Sequence, residues 1–293
     1  MNAIKSIIIT VLSVVMVFAN IFGPYYLINI FPQDGHKVRL GIHYSFGDTY
    51  NIEPELYNIS VTGFKVVKIF LDYVQTQNNQ SILFFDSCRQ YNLSVAIIVG
   101  PEDVNTFNMT LDWIEDKPYN IDYIQILNEP ELANSWAEGA LYIDNELQTM
   151  VKQIHSIVKA HDIKALDGSP VKTYVNFSPA FLLRPNIVQF YLPYVDFIGY
   201  DAYTSGFIQF TPELMMVLSK LVVDKKIIIS EFGMNELDDK VQADHIIEQL
   251  NFFKNSGFSD VWLCYWGESS GGYNIANRLA QEKIKDWVSI NGI

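Results

Sequence analysis

The chain has 293 residues, with 33 acidic against 20 basic side chains and a formal net charge of −13 at neutral pH. The length fits one large α/β domain with a short appendage, and 49% hydrophobic residues can build a sizeable core. Lysines and arginines scattered over an acidic chain give no surface for phosphate backbones, which excludes nucleic acid as an expected partner.

The first part of the chain is apolar and is predicted to be a separate segment. Residues 7–31 carry no charged side chain over about 25 positions, long enough to span a hydrocarbon core. We therefore predict a membrane anchor or signal segment with a short linker at residues 1–35. The remainder, residues 36–293, is predicted to be a single catalytic domain.

This N-terminal segment has two interpretations. Cleavage at Val17-Phe18-Ala19 would make it a signal peptide, whereas the continuation of the apolar stretch to Phe31 favours an uncleaved anchor. We expect an extracytoplasmic catalytic domain in both cases. It would be tethered to the membrane through this segment, or secreted if the segment is removed.

Beyond the linker, short apolar runs rich in valine, isoleucine and aromatic residues alternate with longer amphipathic stretches. Most runs lack a polar alternation, as is typical of parallel strands buried on both faces. The predicted strands are residues 38–46, 64–72, 93–100, 123–128, 172–178, 195–203, 226–232 and 260–267.

Helical periodicity occurs between most of these strands and is weaker in the first and fifth connections. The predicted helices are residues 81–91, 104–115, 139–160, 211–222, 241–255 and 277–290. Eight strands with helical crossovers predict a (β/α)8 TIM barrel, preceded by the hydrophobic N-terminal helix. The alternative, an open doubly wound sheet, would carry a glycine-rich phosphate loop after the first strand, and the sequence has none there.

The two cysteines, Cys88 and Cys264, are predicted to be buried free thiols, although the sequence leaves a disulfide between them open. No cysteine or histidine spacing matches a metal site. No metal or other cofactor is therefore expected.

Two glutamates stand where predicted strands end, and a TIM barrel carries its chemistry at the carboxyl ends of its strands. Strand four runs into Asn128-Glu129-Pro130, and strand seven runs into Ser230-Glu231-Phe232-Gly233. A carboxyl beside a buried apolar run has a raised pKa, which suits Glu129 to general acid catalysis. Two carboxylates across one barrel mouth are what glycosidic cleavage needs.

These motifs resemble the Asn-Glu-Pro signature and the strand-seven nucleophile motif of clan A glycoside hydrolases. The resemblance implies hydrolysis of a β-linked oligo- or polysaccharide by a retaining double displacement, with Glu129 as acid/base and Glu231 as nucleophile. It implies carboxyl groups about 5 to 5.5 Å apart and an Asn128 that binds the sugar 2-hydroxyl. By the same resemblance, Tyr203, or Tyr200 in its place, contacts the nucleophile.

The other predicted substrate contacts are less typical of the clan. Trp266 resembles the strand-eight tryptophan that forms the floor of the sugar site, with plain barrel packing as the alternative. Lys68 stands where many clan members have an arginine, and a lysine lacks the bidentate geometry of that residue. His43 is the histidine expected near the mouth. The remaining predicted substrate contacts are Asn176 and Trp136, and further residues placed near the mouth are Tyr44, Asp72, Glu102, Glu268 and Tyr273.

Three other functions stay open. A transglycosylase would pass the same glycosyl-enzyme to a second sugar instead of water. A catalytically inactive barrel would serve as an extracellular carbohydrate-binding module. A metal-dependent hydrolase or an aldolase would need strand-end ligands or a Schiff-base lysine, for which Lys68 is the placed candidate.

Overall fold

A computed structural model describes residues 37–45, 51–98, 104–130, 145–183, 185–203, 217–218, 220–222, 226–267 and 273–293. Its centre is a closed barrel of eight parallel strands, in which each strand pairs with its neighbours in sequence and the last pairs with the first. The strands are β1 (Arg39–His43), β2 (Val66–Phe70), β3 (Ser94–Ile98), β4 (Ile121–Asn128), β5 (Lys172–Phe177), β6 (Phe197–Tyr203), β7 (Lys226–Gly233) and β8 (Asp260–Leu263).

Helices connect the strands and pack against the barrel. They are α1 (Ile52–Thr62), α2 (Tyr73–Thr76), α3 (Asn79–Gln90), α4 (Val104–Glu115), α5 (Asn145–Ala160), α6 (Pro185–Tyr191), α7 (Asp239–Asn255) and α8 (Leu279–Asn291). The 3₁₀ turns Pro179–Leu183 and Leu192–Tyr194 flank α6 in the fifth connection.

The predicted barrel and its eight strands are confirmed in order. Helix α4 has the predicted bounds, and the ends of α3, α7 and α8 differ from the prediction by at most two residues. Residues 139–144 of the predicted fourth-connection helix lie outside the described residues. So does most of the helix predicted at residues 211–222.

The first connection, where the sequence pattern was weak, contains the complete helix α1. Glu53 and Glu55 lie in its first turn, where acidic side chains stabilise the helix dipole. Leu56 and Ile59 are buried against the barrel side of the structure. The helix ends at Gly63, whose φ of +109° is a left-handed C-cap that glycine adopts at little cost.

The barrel interior has its own small cluster of buried side chains. Its members are Val66, Ala96, Tyr123, Tyr174, Ile228 and Trp262. Trp262 fits because its neighbour on β1 is Gly41, where a Cβ would lie 2.4 Å from Trp262 Cδ1. Close packing of this kind leaves no room for a larger residue on β1.

An ionic cluster lies at the amino-terminal end of the barrel, opposite the strand ends that carry the two glutamates. Arg39 donates to Asp260 Oδ1 at 2.8 Å and to the Tyr123 hydroxyl at 2.6 Å, and it also pairs with Asp122. A cavity of about 440 Å³ adjoins this cluster. Because it opens at the wrong end of the barrel, it is not the expected site of chemistry.

The predicted N-terminal segment, residues 1–35, lies outside the described residues. Within the described ranges, no helix combines the length and apolar character needed to cross a membrane. Cys88 and Cys264 are both buried free thiols, which confirms that prediction.

Candidate active site

Glu129 and Glu231 lie at the same end of the barrel. Asn128, the last residue of β4, pairs with Asn176 of β5, and Asp201 of β6 pairs with Glu231 of β7. Since all eight strands are parallel, these pairs place both glutamates at the carboxyl ends of their strands. Both residues are partly exposed to solvent.

Two donors hold the carboxylate of Glu231. The Lys68 ammonium on β2 lies 2.5 Å from Oε1, and the Tyr203 hydroxyl on β6 donates to Oε2 at 2.5 Å. The contact with Tyr203 is the one predicted for this tyrosine. Charge-assisted hydrogen bonds from two strands fix both oxygens of the carboxylate.

Electrostatics keep Glu231 ionised. Burial by itself raises the pKa of Glu231, but the charge of Lys68 and the hydrogen bonds from Lys68 and Tyr203 outweigh burial and hold this pKa below its ordinary value. Lys68 is completely buried, yet attraction to Glu231 outweighs its own desolvation and raises the lysine pKa. The pair is therefore a carboxylate and an ammonium at neutral pH.

His43, at the end of β1, is neutral under the same conditions. Burial, with the nearby charge of Lys68, lowers its pKa to about 4 despite the opposing effect of Glu231. The imidazole is 3% exposed and stacks on Tyr265 with ring centroids 4.5 Å apart. The ring is covered and supports Tyr265 in this structure, so substrate binding by His43 stays a prediction.

Glu129 has an unusual backbone conformation. Its φ is +43°, a left-handed value that costs a residue with a Cβ about 1 to 2 kcal/mol. Its backbone N–H donates to Asn176 Oδ1 at 3.3 Å. Its carboxylate lies within electrostatic reach of Asp201 and contributes to the raised pKa of that group, which burial dominates.

A buried polar network connects the strands that carry the two glutamates. The Asn176 amide donates to Asn128 Oδ1 at 3.0 Å and to Asp201 Oδ2, and its oxygen accepts from Gln125 Nε2 at 2.7 Å. Asp201 Oδ1 accepts from the Ser230 hydroxyl at 2.7 Å. Asn176 was predicted to bind substrate, and that stays a prediction. In this structure the side chain is completely buried and contacts other site residues.

Two other predicted aromatic contacts, Trp266 and the alternative Tyr200, are buried in this structure. Trp266 is 2% exposed and packs edge to face on Phe64 within the hydrophobic core, with ring centroids 6.2 Å apart. Tyr200 is completely buried beside Phe181. The strand predicted at residues 260–267 is shorter in the structure, because β8 ends at Leu263.

The structure offers other aromatic side chains at this end of the barrel. Tyr265 is partly exposed, and its pKa is raised first by burial and then by the charges of Cys264 and Glu231. Tyr273 is also partly exposed and packs edge to face on Tyr203, with centroids 5.6 Å apart.

Sequence reasoning missed Gln125, Asp201 and Tyr265. For the first two, a signal was available, since each is a polar side chain inside an otherwise apolar predicted strand. For Tyr265, the signal was its position beside the predicted Trp266. In an extended chain, the side chains of neighbouring residues point to opposite sides, so Tyr265 faces the site when Trp266 faces away from it.

The remaining predicted mouth residues are divided between structural roles and undescribed segments. Tyr44 donates to Glu55 Oε2 at 2.6 Å, and Asp72 caps α2 by accepting from the Gln75 backbone. Trp136, Glu102 and Glu268 lie outside the described residues.

One group among the described residues could hold a metal ion, and it is remote from the glutamates. His161 Nε2 lies 3.0 Å from Asp112 Oδ1, with Glu115 close to both. The group lies at the carboxyl-terminal ends of α4 and α5, which lead into β4 and β5 at the opposite end of the barrel. It is therefore not part of the candidate active site.

Comparison with known proteins identifies the fold. No family model matches the sequence, and no curated protein matches it either. Among solved structures, a family 39 glycoside hydrolase from Bacteroides cellulosilyticus WH2 aligns with a TM-score of 0.66 at 12% identity. That alignment covers 89% of this chain and 65% of the other, so this chain spans just under two thirds of that protein.

Two further solved structures align over nearly their whole length. An endo-1,4-β-D-mannanase from Thermotoga petrophila RKU-1 gives a TM-score of 0.61 at 13% identity, covering 87% of this chain and 100% of the other. A family 1 β-glucosidase from Thermotoga maritima gives 0.56 at 11% identity, covering 89% and 98%. The structural neighbours are clan A glycoside hydrolases, and at these identities the likeness establishes a shared fold.

Proposed function

We propose that this chain is a glycoside hydrolase that cleaves a β-linked oligo- or polysaccharide with retention of anomeric configuration. The observation that carries the proposal is the environment of Glu231. Lys68 and Tyr203 hold this strand-end carboxylate ionised and oriented, on the rim that also carries Glu129. The clan A fold supports the same conclusion.

The proposed reaction uses the two glutamates in turn. Glu129 gives a proton to the glycosidic oxygen as the bond to the anomeric carbon breaks, and a Glu231 oxygen forms an ester with that carbon. Glu129, now ionised, then removes a proton from a water molecule. The water oxygen bonds to the anomeric carbon, and Glu231 leaves as the carboxylate.

Lys68 and Tyr203 have opposite effects on the two steps. They stabilise the Glu231 charge, which weakens it as a nucleophile in the first step. The ester has lost that charge, so the same donors favour departure of Glu231 in the second step. A buried ammonium therefore speeds breakdown of the intermediate, where charge returns to the carboxylate.

Tyr265 is the proposed aromatic wall of the sugar site, in place of Trp266. Its ring is partly exposed, is supported by His43 and is electrostatically coupled to Glu231. The C–H face of a pyranose packs well on such a ring.

The observations on Lys68 do not favour an aldolase. A Schiff-base lysine must lose its proton to attack a carbonyl, whereas pairing with Glu231 raises the Lys68 pKa. An inactive sugar-binding barrel would not need a nucleophile held by two donors.

The test combines activity with product stereochemistry. The full chain is assayed on a panel of aryl β-glycosides and β-linked polysaccharides, and the anomer formed first is determined by NMR. We expect hydrolysis with retention, and loss of at least about 10³-fold in kcat for Glu231→Gln. Inversion, or equal activity in wild type and variant, would overturn the proposal, and products longer than the substrate would indicate a transglycosylase.

We also propose that the catalytic domain is exported and tethered by the segment at residues 1–35. The support is sequence alone, namely the uncharged stretch of residues 7–31. Two measurements on cells that express the full chain test this proposal. Fractionation locates the protein, and mass spectrometry determines whether its N-terminal segment has been cleaved. Membrane-bound, uncleaved protein supports the anchor, secreted shortened protein supports a signal peptide, and full-length cytosolic protein contradicts both.

A further inference from the structure

The side-chain amide of Asn176 uses its full hydrogen-bonding capacity. Its oxygen accepts from Gln125 Nε2 at 2.7 Å and from the Glu129 backbone N–H at 3.3 Å. Its nitrogen donates to Asn128 Oδ1 at 3.0 Å and to Asp201 Oδ2. An amide offers two acceptor sites and two donors, so none is left over.

Neighbours on both sides dictate which way round this amide lies. Asp201 presents a carboxyl oxygen, which attracts the NH2 of Asn176. On the other side, the Tyr174 hydroxyl donates to Gln125 Oε1 at 2.5 Å and so turns the Gln125 NH2 towards the Asn176 oxygen. A reversed Asn176 amide would set donor against donor at both Gln125 and Glu129.

The orientation of Asn176 determines the backbone of Glu129. A non-glycine residue stays at φ +43° only where its surroundings over-determine that conformation. The Glu129 backbone N–H donates to Asn176 Oδ1. Without this acceptor, Glu129 can relax to a negative φ, which turns its side chain in a new direction.

The same amide determines which atom of Asn128 faces the cavity. Asn128 Oδ1 accepts from Gln125 at 2.8 Å and from Asn176 at 3.0 Å. Both donors are buried, and Asn128 itself is exposed. The Asn128 NH2 is thereby directed outwards, where it can donate to a sugar hydroxyl.

We propose that Asn176 is a positioning residue, which fixes the left-handed backbone of Glu129 and the outward NH2 of Asn128 without touching substrate. The inference rests on the proposed function, because it assigns Asn176 to the placement of the general acid. Misplacement of Glu129 affects proton donation alone, whereas a turned Asn128 amide weakens sugar binding on every substrate by a smaller factor. Neither change reaches the nucleophile held by Lys68 and Tyr203.

Leaving-group dependence tests this specificity. Asn176→Ala and wild type are compared as full chains on the phenyl and 2,4-dinitrophenyl glycosides of the preferred sugar. Phenolate needs a proton to depart, whereas dinitrophenolate departs without one. We expect kcat/KM to fall about 100-fold on the phenyl glycoside and less than about 10-fold on the dinitrophenyl glycoside, since a general acid contributes at least about 100-fold.

The ratio of the two rates is insensitive to misfolding, since both substrates report on the same preparation. Glu129→Gln should show the same pattern in stronger form. Thr173→Val is the matched control, because Thr173 is also buried on β5 but bonds to Asp196 at 3.0 Å, at the far end of the strand. It should alter stability and leave the ratio unchanged.

If Asn176→Ala lowered kcat/KM by the same factor on both glycosides, the inference would be overturned. So would a crystal structure of this variant in which Glu129 keeps a positive φ. A wild-type chain inert on every aryl glycoside would instead refute the proposed function, and this inference with it.

Discussion

The ammonium of Lys68 lies 2.5 Å from Glu231 Oε1, and the lysine is completely buried. This pair joins β2 to β7 across the barrel, at the end where the chemistry is proposed. It also replaces the arginine that many clan A enzymes carry on strand two with a single point charge. The pair keeps Glu231 ionised, and it connects two strands of the barrel at the candidate active site.

Removal of the lysine should raise the pKa of Glu231, the proposed nucleophile. In Lys68→Met, the burial that raises the Glu231 pKa is no longer opposed by the ammonium. We expect the acidic limb of the kcat/KM–pH profile to move upward by about 1 to 3 pH units, with a corresponding loss at neutral pH. Lys65→Met, at an exposed lysine just before β2, is the control. An unmoved acidic limb would contradict the assignment of Glu231.

The free energy of unfolding lost in Lys68→Met should depend on pH. The folded Glu231 pKa is below its unfolded value near 4.3, so its stabilisation is complete above that pH and is lost as pH falls through the folded pKa. Lys68, with a raised pKa, stabilises below about pH 10 and stops doing so as pH rises through its folded pKa.

Urea unfolding of wild type and Lys68→Met measures this difference. At pH 7 the variant should lose about 3 to 5 kcal/mol, because a buried carboxylate has lost its partner. The gap should narrow as pH falls through the folded pKa of wild-type Glu231, since the carboxyl then takes up a proton in both proteins. A gap in the free energy of unfolding that stays the same over this pH range would show that the loss is one of packing rather than charge.

The Tyr203 hydroxyl should contribute to catalysis through its bond to Glu231. Tyr203→Phe keeps the edge-to-face contact with Tyr273 and deletes one donor to the carboxylate. A hydrogen bond to a charged group contributes about 1.5 to 3 kcal/mol, so kcat should fall about 10- to 100-fold on substrates for which breakdown of the glycosyl-enzyme limits the rate. Tyr91→Phe, which removes a surface hydroxyl 3.2 Å from Glu53, should leave kcat unchanged. Similar kcat values for Tyr203→Phe and Tyr91→Phe would contradict a catalytic contribution of the Tyr203 hydroxyl.

The fold was predictable from the sequence because buried parallel strands are continuous apolar runs. The positions of Glu129, Glu231 and Tyr203 followed, since each is near the carboxyl end of such a run. The path beyond β8 was not predictable in the same way. Apolar residues continue past Leu263, but the strand ends there, and the backbone beyond it buries Trp266 while it leaves Tyr265 partly exposed.

The buried network was out of reach for a different reason. The left-handed φ of Glu129 depends on an oxygen of Asn176, which lies on another strand 47 residues along the chain. No local pattern around Glu129 encodes that contact. Gln125 and Asp201 could be recognised as polar residues in apolar strands, but their partners emerge only when the barrel closes.

Packing inside the barrel gives a stability prediction. Gly41→Ala places a methyl group 2.4 Å from Cδ1 of the fully buried Trp262, whose ring also packs on Tyr123 and Tyr174. We expect the free energy of unfolding in urea to fall by about 1 to 3 kcal/mol. Gly267→Ala is the matched control, because no atom of the described residues lies within 4 Å of a Cβ at that position. Equal stabilities for the two variants would mean that the barrel interior is looser than described.

The neighbours Tyr265 and Trp266 should separate recognition from stability. Tyr265→Leu removes the partly exposed ring proposed as the sugar wall, so KM should rise about 10-fold with little change in unfolding. Trp266→Leu opens a cavity beside Phe64, so the free energy of unfolding should fall by about 2 to 4 kcal/mol. The KM of the protein that remains folded should not change. Both variants are measured for kinetics and urea unfolding in one series. The opposite pattern, with KM changed only by Trp266→Leu, would restore the tryptophan to the sugar site and exclude the tyrosine.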